Sequence, residues 1–347
     1  MKQRMRVLRL AWLPLVAALA LPAAASAAGG LPAALAWLRS AQLPDGGFSS
    51  GLSQGSDLGA TADAVIAIAS AGQSPGAWRA GDASPLDLLR ARAGEASGPG
   101  LAAKVALASI AAGQDPADFG GLNLTAVIEA GFNSATGFYG AGPYDSALSL
   151  LALAQAHRPI PPEAVAGLVR ARQQDGSYAF DGTMTPGSGD SNTTALAVQA
   201  LLAAGAGQEA IPSFDYFRRT QNPDGGWTYQ KPSAYGESTD ANSTALVLQA
   251  LLAGGQDLEQ WGRPQESLLA LQQPSGALAF NAQTPGDNAL ATIQAIPALA
   301  GVDLTDLGSL QSHRGSGSLN VSTFFVALFL LAAVLMLSAI VERTRQT

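Results

Sequence analysis

The chain has 347 residues, 26 acidic and 19 basic side chains, a formal net charge of −7 and no cysteine. Without cysteine there can be no disulfide, thiolate zinc site, thioester or lipid-modified cysteine anchor. Charged residues make up only 13 % of the chain, and no basic patch with interleaved aromatics occurs, which excludes a nucleic-acid interface.

Residues 1–27 begin with Lys2, Arg4, Arg6 and Arg9, continue through an apolar run from Leu10 to about Ala24, and end on small residues at Ala25–Ala27. This order of charge, apolar core and small-residue site predicts a secretory signal peptide. The rest of the body, residues 31–301, is rich in Ala and Leu and long enough to bury a large core.

That body repeats itself. Apolar runs behind a polar or glycine-rich start follow Asp57, Pro99, Asp145, Asp190, Asp240 and Asp287, at steps of 42, 46, 45, 50 and 47 residues. Two of them are near copies, "GDSNTTALAVQALLAAG" from Gly189 and "STDANSTALVLQALLAGG" from Ser238. Between them lie helices with more charge and a narrower apolar face, such as "PPEAVAGLVRARQ" and "IPSFDYFRRTQ", several opening on a proline suited to a first helical turn. Runs apolar all round belong inside and amphipathic ones outside. Six such pairs predict an all-α fold, an (α/α)6 toroid with a double ring of six inner and six outer helices.

A turn follows the outer helices: "QLPDGGF" at Gln42, "QQDGSYAF" at Gln173, "QNPDGGWTY" at Gln221 and a worn "QQPSGALAF" at Gln272. Asp bonds its own backbone there and Gly supplies positive φ. The first aromatic of each turn, Tyr178 or Trp227, is expected to staple neighbouring repeats. The second, Phe180, Tyr229 or Phe280, leads into loops where Tyr229, Lys231, Tyr235 and Glu237 are candidates for ligand contact.

The acids just before inner helices, Asp57, Asp190, Asp240 and Asp287, have a plain reading as N-caps that accept bonds from unpaired backbone N–H groups. A sharper reading adds geometry: the inner-helix starts gather around one mouth of the ring, where Asp190, Ser191, Asn192, Thr193, Asp240, Asn242, Ser243, Asp287 and Asn288 offer a rim of amides and hydroxyls for a polar ligand face. His157 and His313 are too few and too far apart for a metal set.

Residues 302–321, including "HRGSGSLN", have the Gly and Ser content of a flexible stalk. Residues 322–341 follow, with about eighteen charge-free residues from Phe324 to Val341 that predict one transmembrane helix. Arg343 and Arg345 in the tail 342–347 argue that this end is cytoplasmic and the toroid outside.

The turn of Gln, then Asp-Gly-Gly or Asp-Gly-Ser, then Phe, Trp or Tyr, resembles the QW-type repeat of the squalene cyclase and protein prenyltransferase superfamily, over roughly Leu31 to Gly301. The resemblance implies an α/α toroid, also the fold of the cobalamin carriers. Squalene–hopene-type cyclases carry Asp-x-Asp-Asp-Thr-Ala at an inner-helix start, where the middle Asp protonates an alkene. The matching positions here read Asp190, Ser191, Asn192, Thr193, Thr194, Ala195 and Asp240, Ala241, Asn242, Ser243, Thr244, Ala245. An amide has no proton to give. The zinc set of the prenyltransferases needs a Cys, and no Asp-Asp pair occurs for a diphosphate site. The expectation is therefore a membrane-anchored extracytoplasmic binding protein for a bulky amphipathic ligand, corrinoid or isoprenoid-like, or for a surface protein. The alternatives are a cyclase- or transferase-like enzyme using Asp190 or Asp240 as an atypical acid, and a structural or protein-docking toroid whose centre is filled. A centre that leaves no cavity of ~300 Å³ would mark the docking ring.

Overall fold

The repeated runs fold alike in the computed structural model, which describes residues 29–311 apart from 53 and 235. In chain order the helices are α1 (Leu31–Ser40), α2 (Leu58–Ser70), α3 (Pro85–Ala91), α4 (Pro99–Ala111), α5 (Leu124–Ala130), α6 (Pro143–Gln155), α7 (Pro162–Arg170), α8 (Ser191–Ala203), α9 (Ile211–Thr220), α10 (Ala241–Ala253), α11 (Pro264–Leu269) and α12 (Ala289–Leu299). The even-numbered helices pack each against the next, and α12 returns to α2, which closes the inner ring. The odd-numbered helices lie outside, so the described residues form the expected (α/α)6 toroid. A hairpin of β1 (Phe132–Asn133) and β2 (Phe138–Tyr139) takes the place of the turn in the third unit.

Composition explains the two layers. Helix α8 buries ten of its residues, Ser191 and Thr193 through Leu201, because inner neighbours, an outer helix and the ring axis surround it. Its alanines let the neighbours approach closely. Helix α9 buries only Ser213, Tyr216, Phe217 and Thr220 and leaves Arg218 and Arg219 in water.

The turn ties each outer helix to an inner one. The N–H of Trp227 donates to Thr244 Oγ1 at 3.0 Å, and the cap residue's N–H, Asp240, returns a bond to the Trp227 carbonyl at 2.8 Å. The same pair of bonds joins Phe48 to Thr61 and Asp57, Tyr178 to Thr194 and Asp190, and Leu278 to Thr292 and Asn288. The last Thr of each repeated tetrad thus holds the turn. The turn Gln bridges to the next unit: Gln221 Nε2 donates to the Gly225 carbonyl at 2.8 Å and the Trp261 carbonyl at 2.7 Å. Gly225 has φ 91°, and a Cβ there would sit 2.8 Å from the Gly262 carbonyl oxygen, so both turn and close approach require glycine. A Thr244→Val variant leaves the buried Trp227 N–H unpaired and is expected to lose about 1–3 kcal/mol in chemical denaturation. A loss within error of zero would mean that packing alone holds the turn.

Two expectations need correction. Asp287 does not cap α12; Asn288 does, its Oδ1 accepting from the Ala291 N–H at 2.9 Å. Asp287 instead accepts from Trp37 Nε1 at 2.7 Å and Ser275 Oγ at 2.6 Å, a latch between the last and first units at ring closure. Residues 302–311, expected to begin a stalk, are packed against the inner-helix C-termini, with Leu307 fully buried and Leu304 nearly so. Their backbone polar groups are taken up by Gln155 and Gln199. The stretches 1–27 and 322–341, the tail 342–347 and His313 lie outside the described residues; among those described, no helix is long and apolar enough to cross a membrane.

Candidate ligand-binding rim and filled lumen

The repeat register sets what fills the ring axis. Six places past the N-caps Asp57, Gly98, Gly142, Asp190, Asp240 and Asn288 stand Asp63, Lys104, Leu148, Leu196, Leu246 and Gln294. All six line the central cavity, so one residue per repeat meets at one level. Three places further, Ile66, Leu107, Gln249 and Pro297 line it as well. The space they leave is about 50 Å³, against roughly 300 Å³ at the lower end for small-molecule sites. The centre is therefore filled, as the docking-ring alternative expects, and a corrinoid or an isoprenoid chain does not fit on the axis.

Asp63 and Lys104 form an ion pair of 2.7 Å in that layer, with their side chains 14 % and 20 % accessible. Burial by itself disfavours the Lys104 ammonium, but the attraction of Asp63 outweighs this and its pKa stands above the ordinary lysine value. Sequence reasoning missed both residues. The available signal was a lone acid and a lone base, 41 positions apart, within otherwise uncharged inner helices.

Above this layer lies the mouth. Asp190 and Asp240 are buried N-caps whose Oδ1 atoms accept from the Thr193 and Ser243 N–H groups, each at 2.7 Å. Burial raises both carboxyls to about 6, only partly offset by these bonds. Asp240 Oδ2 also accepts from Ser243 Oγ at 2.8 Å, whereas the buried Asp190 Oδ2 has no partner. Thr193 and Ser243 are buried with the caps they serve. Ser191 Oγ donates to the Thr228 carbonyl at 2.7 Å and is also closed off. Asn242 Nδ2 donates to Gln294 Oε1 at 2.7 Å, and the buried Asn192 Oδ1 is unpartnered. Neither Asp190 nor Asp240 lines the lumen. The amides thus stand where the resemblance would place a proton donor, and the two nearby acids are bound to backbone.

These raised values set a pH dependence. A carboxyl at about 6 in the folded chain and near 4 unfolded binds more protons when folded between those pH values, so its contribution falls as pH rises through that window. Asp240→Asn keeps a cap but removes the titration. Its stability relative to the parent is expected to improve by up to about 3 kcal/mol from pH 4 to 7. A difference that stays flat in denaturation at the two pH values would contradict the shift.

Beside the mouth, a pocket of about 300 Å³ opens between the loops that follow the turns at Gln221 and Gln272, in the fifth and sixth units. Tyr229 and Phe280 supply its aromatic walls, Gln230, Asn281 and Gln283 its amides, and Asp240 lies at its base. Tyr229 and Phe280 are 45 % and 38 % exposed although their backbones are tied to the ring, the Tyr229 carbonyl accepting from the Ser191 N–H and that of Phe280 from the Ala241 N–H. Burial, then the Asp190 charge, raises the Tyr229 phenol above its ordinary value. Phe180 is set apart from these two, packed on Tyr144 with ring centroids 4.9 Å apart. Lys231 is engaged with Asn222 Oδ1 at 2.9 Å, and Glu237 accepts from the Ser233 N–H. Tyr235 is outside the described residues. Of the sequence candidates, then, Asp240, Tyr229 and Phe280 line one opening, Asp190, Asn192, Thr193, Asn242 and Ser243 do not line it, Phe180 packs on Tyr144, Asp287 latches the first and last units, and Asn288 caps α12.

No family model matches the chain, and no curated protein matches it. Solved structures do. A crystal structure of a protein from Actinoplanes superposes with a TM-score of 0.57 at 16 % identity, covering 78 % of this chain and 98 % of that one. A variant of the type II terpene cyclase MstE from Scytonema, in complex with its substrate geranylgeranyl dihydroxybenzoate, gives 0.55 at 16 % identity over 80 % and 96 % of the two chains. Another variant, with the product merosterolic acid A, gives 0.56 at 16 % over 78 % and 95 %. This chain shares the toroid of the type II terpene cyclases.

Proposed function

We propose that the protein is a membrane-anchored, extracytoplasmic toroid that binds an amphipathic ligand at its inner-helix mouth and does not turn it over. The carrying observation is the division of space: about 50 Å³ on the axis, and about 300 Å³ beside the mouth, between aromatic faces and amides. Tyr229 and Phe280 offer stacking surfaces, while Gln230, Asn281 and Gln283 offer donors and acceptors for a polar edge. The pocket has the size of a small ligand or of one end of a larger one. The leader-like start, the apolar run at 322–341 and its basic flank support the placement outside an anchoring membrane.

The test is native mass spectrometry of the full chain released from membranes in mild detergent. A bound mass of small-molecule size should accompany the parent and be lost from the Tyr229→Ala, Phe280→Ala double variant with helical signal intact. A bound mass retained by the double variant would place the ligand elsewhere.

A filled centre favours a second reading, a protein-docking ring, to which the exposed Met184 and Phe180 on the preceding loop would contribute. In that case crosslinking yields a polypeptide partner and no small molecule copurifies. A cyclase-like reading draws on the shared fold and on the two carboxyls near 6, and it requires turnover that depends on them.

A further inference from the structure

Two successive loops are tied down by the same device, and in one of them an oxygen is left over. The fourth turn is one residue shorter between its Gln and its Asp than the fifth, so Gln173 stands level with Asn222 and not with Gln221. Each lies five places before its turn aromatic, Tyr178 or Trp227. The N–H of each donates across its turn, to the Ser177 carbonyl at 2.8 Å and the Gly226 carbonyl at 2.9 Å. Both side-chain amides then hold the loop that follows by one carbonyl and one hydroxyl. Gln173 Nε2 donates to the Thr183 carbonyl at 3.1 Å and to Ser188 Oγ at 2.8 Å. Asn222 Nδ2 donates to the Glu237 carbonyl at 2.9 Å and to Thr239 Oγ1 at 3.0 Å. A carbonyl can only accept, which fixes the nitrogen of each amide on the loop and turns the oxygen away from it.

The two oxygens fare differently. Asn222 Oδ1 accepts from the Lys231 ammonium at 2.9 Å, and Lys231 stands four places past Trp227. Four places past Tyr178 stands Gly182, which has no side chain to offer. Gln173 is only 5 % exposed, and its Oε1 is buried without a donor, a costly state for an acceptor. Gln173 is also a wall of a pocket of about 560 Å³ between the fourth turn and its loop, together with Asp175, Met184, Pro186 and Arg219. Met184 and Pro186 give that pocket an apolar side. Arg219 is turned onto the Asp175 carbonyl, and its charge is balanced by the Asp175 carboxylate, so the amide oxygen and not a net charge selects the occupant.

We infer that this fourth-unit pocket binds a primary amine on an apolar stem, whose ammonium donates to Gln173 Oε1 as Lys231 donates to Asn222 Oδ1 in the next unit. None of its lining residues lines the rim pocket, so it is a second site and does not depend on the rim reading.

The test is hydrogen exchange of the full chain in a nonionic detergent, with and without three probes. They are n-pentylamine, pentyltrimethylammonium, which has the same stem and charge but no N–H, and Nα-acetyllysine methylamide. Saturating pentylamine should slow exchange of the amides in 183–188 at least about threefold, and the quaternary ion should not. Gln173→Met should abolish that protection, whereas Ser188→Ala, which removes one loop bond and leaves the oxygen, should keep it. Lys231→Met frees Asn222 Oδ1 and should add protection by pentylamine at 237–239. Protection by the lysine amide at lower concentration than by pentylamine assigns the ammonium to a protein lysine, and the reverse order assigns it to a free amine. The inference fails if pentylamine leaves the 183–188 amides at their free rate, or if the quaternary ion protects them as well. It fails equally if Gln173→Met keeps the protection, if Ser188→Ala loses it, or if Lys231→Met gains none at 237–239.

Discussion

Lys104→Met is expected to destabilise the toroid by about 2–4 kcal/mol, because it strands the Asp63 carboxylate among leucines in the ring axis. The 2.7 Å pair is largely enclosed but not sealed, which places the expected loss below that of a fully buried pair. Replacing both partners, as Asp63→Leu with Lys104→Met, should recover most of that loss. Two apolar side chains at this level would extend the layer that Leu148, Leu196 and Leu246 already form. Denaturation of the two single variants and the double variant gives the coupling directly. Additive losses would mean that the two charges do not depend on each other. Recovery without loss of ligand retention would separate the axis from the rim.

Trp227→Ala should cost about 3–5 kcal/mol. The indole is fully buried, donates from Nε1 to the Phe217 carbonyl at 2.8 Å, meets Phe217 edge-on and stands 6.1 Å from the Trp261 ring. It is the staple between an outer helix and the next unit, so its removal opens a cavity at a repeat joint and leaves the Phe217 carbonyl without that bond. Tyr229→Ala, two residues on and half-exposed, should change stability little while removing a wall of the rim pocket. Equal losses at the two positions would contradict the division of each aromatic pair into a staple and a ligand-facing member.

Local chemistry made the architecture readable. An Asp just before an apolar run is suited to cap it, and Asp57, Asp190 and Asp240 do so. At Asp287–Asn288 two good cap residues are adjacent. The choice between them is made by Trp37 and Ser275, one of them 250 positions away, and no local pattern carries that. The lumen pair was hidden for a related reason: 41 positions separate Asp63 from Lys104, and only counting from each unit's own cap places them level. Residues 302–311 read as stalk because they open a stretch rich in Gly and Ser, yet Leu304, Leu307 and Leu310 recur every third place, and the first two are buried. Which way a loop aromatic faces was half legible. Tyr229 and Phe280 reach the opening, whereas Phe180 is drawn onto Tyr144 by a contact between units.

We propose that this toroid, with its nearly filled axis and with amides at Asn192 and Asn242, does not turn over an isoprenoid. The most direct measurement is to incubate the purified full chain with squalene, polyprenyl diphosphates and a membrane lipid extract, and to search for new products by mass spectrometry. No cyclised or transferred product should form, with the parent or with Asp190→Asn and Asp240→Asn. An isoprenoid product made by the parent and lost in either aspartate variant, with the fold unchanged, would contradict the account.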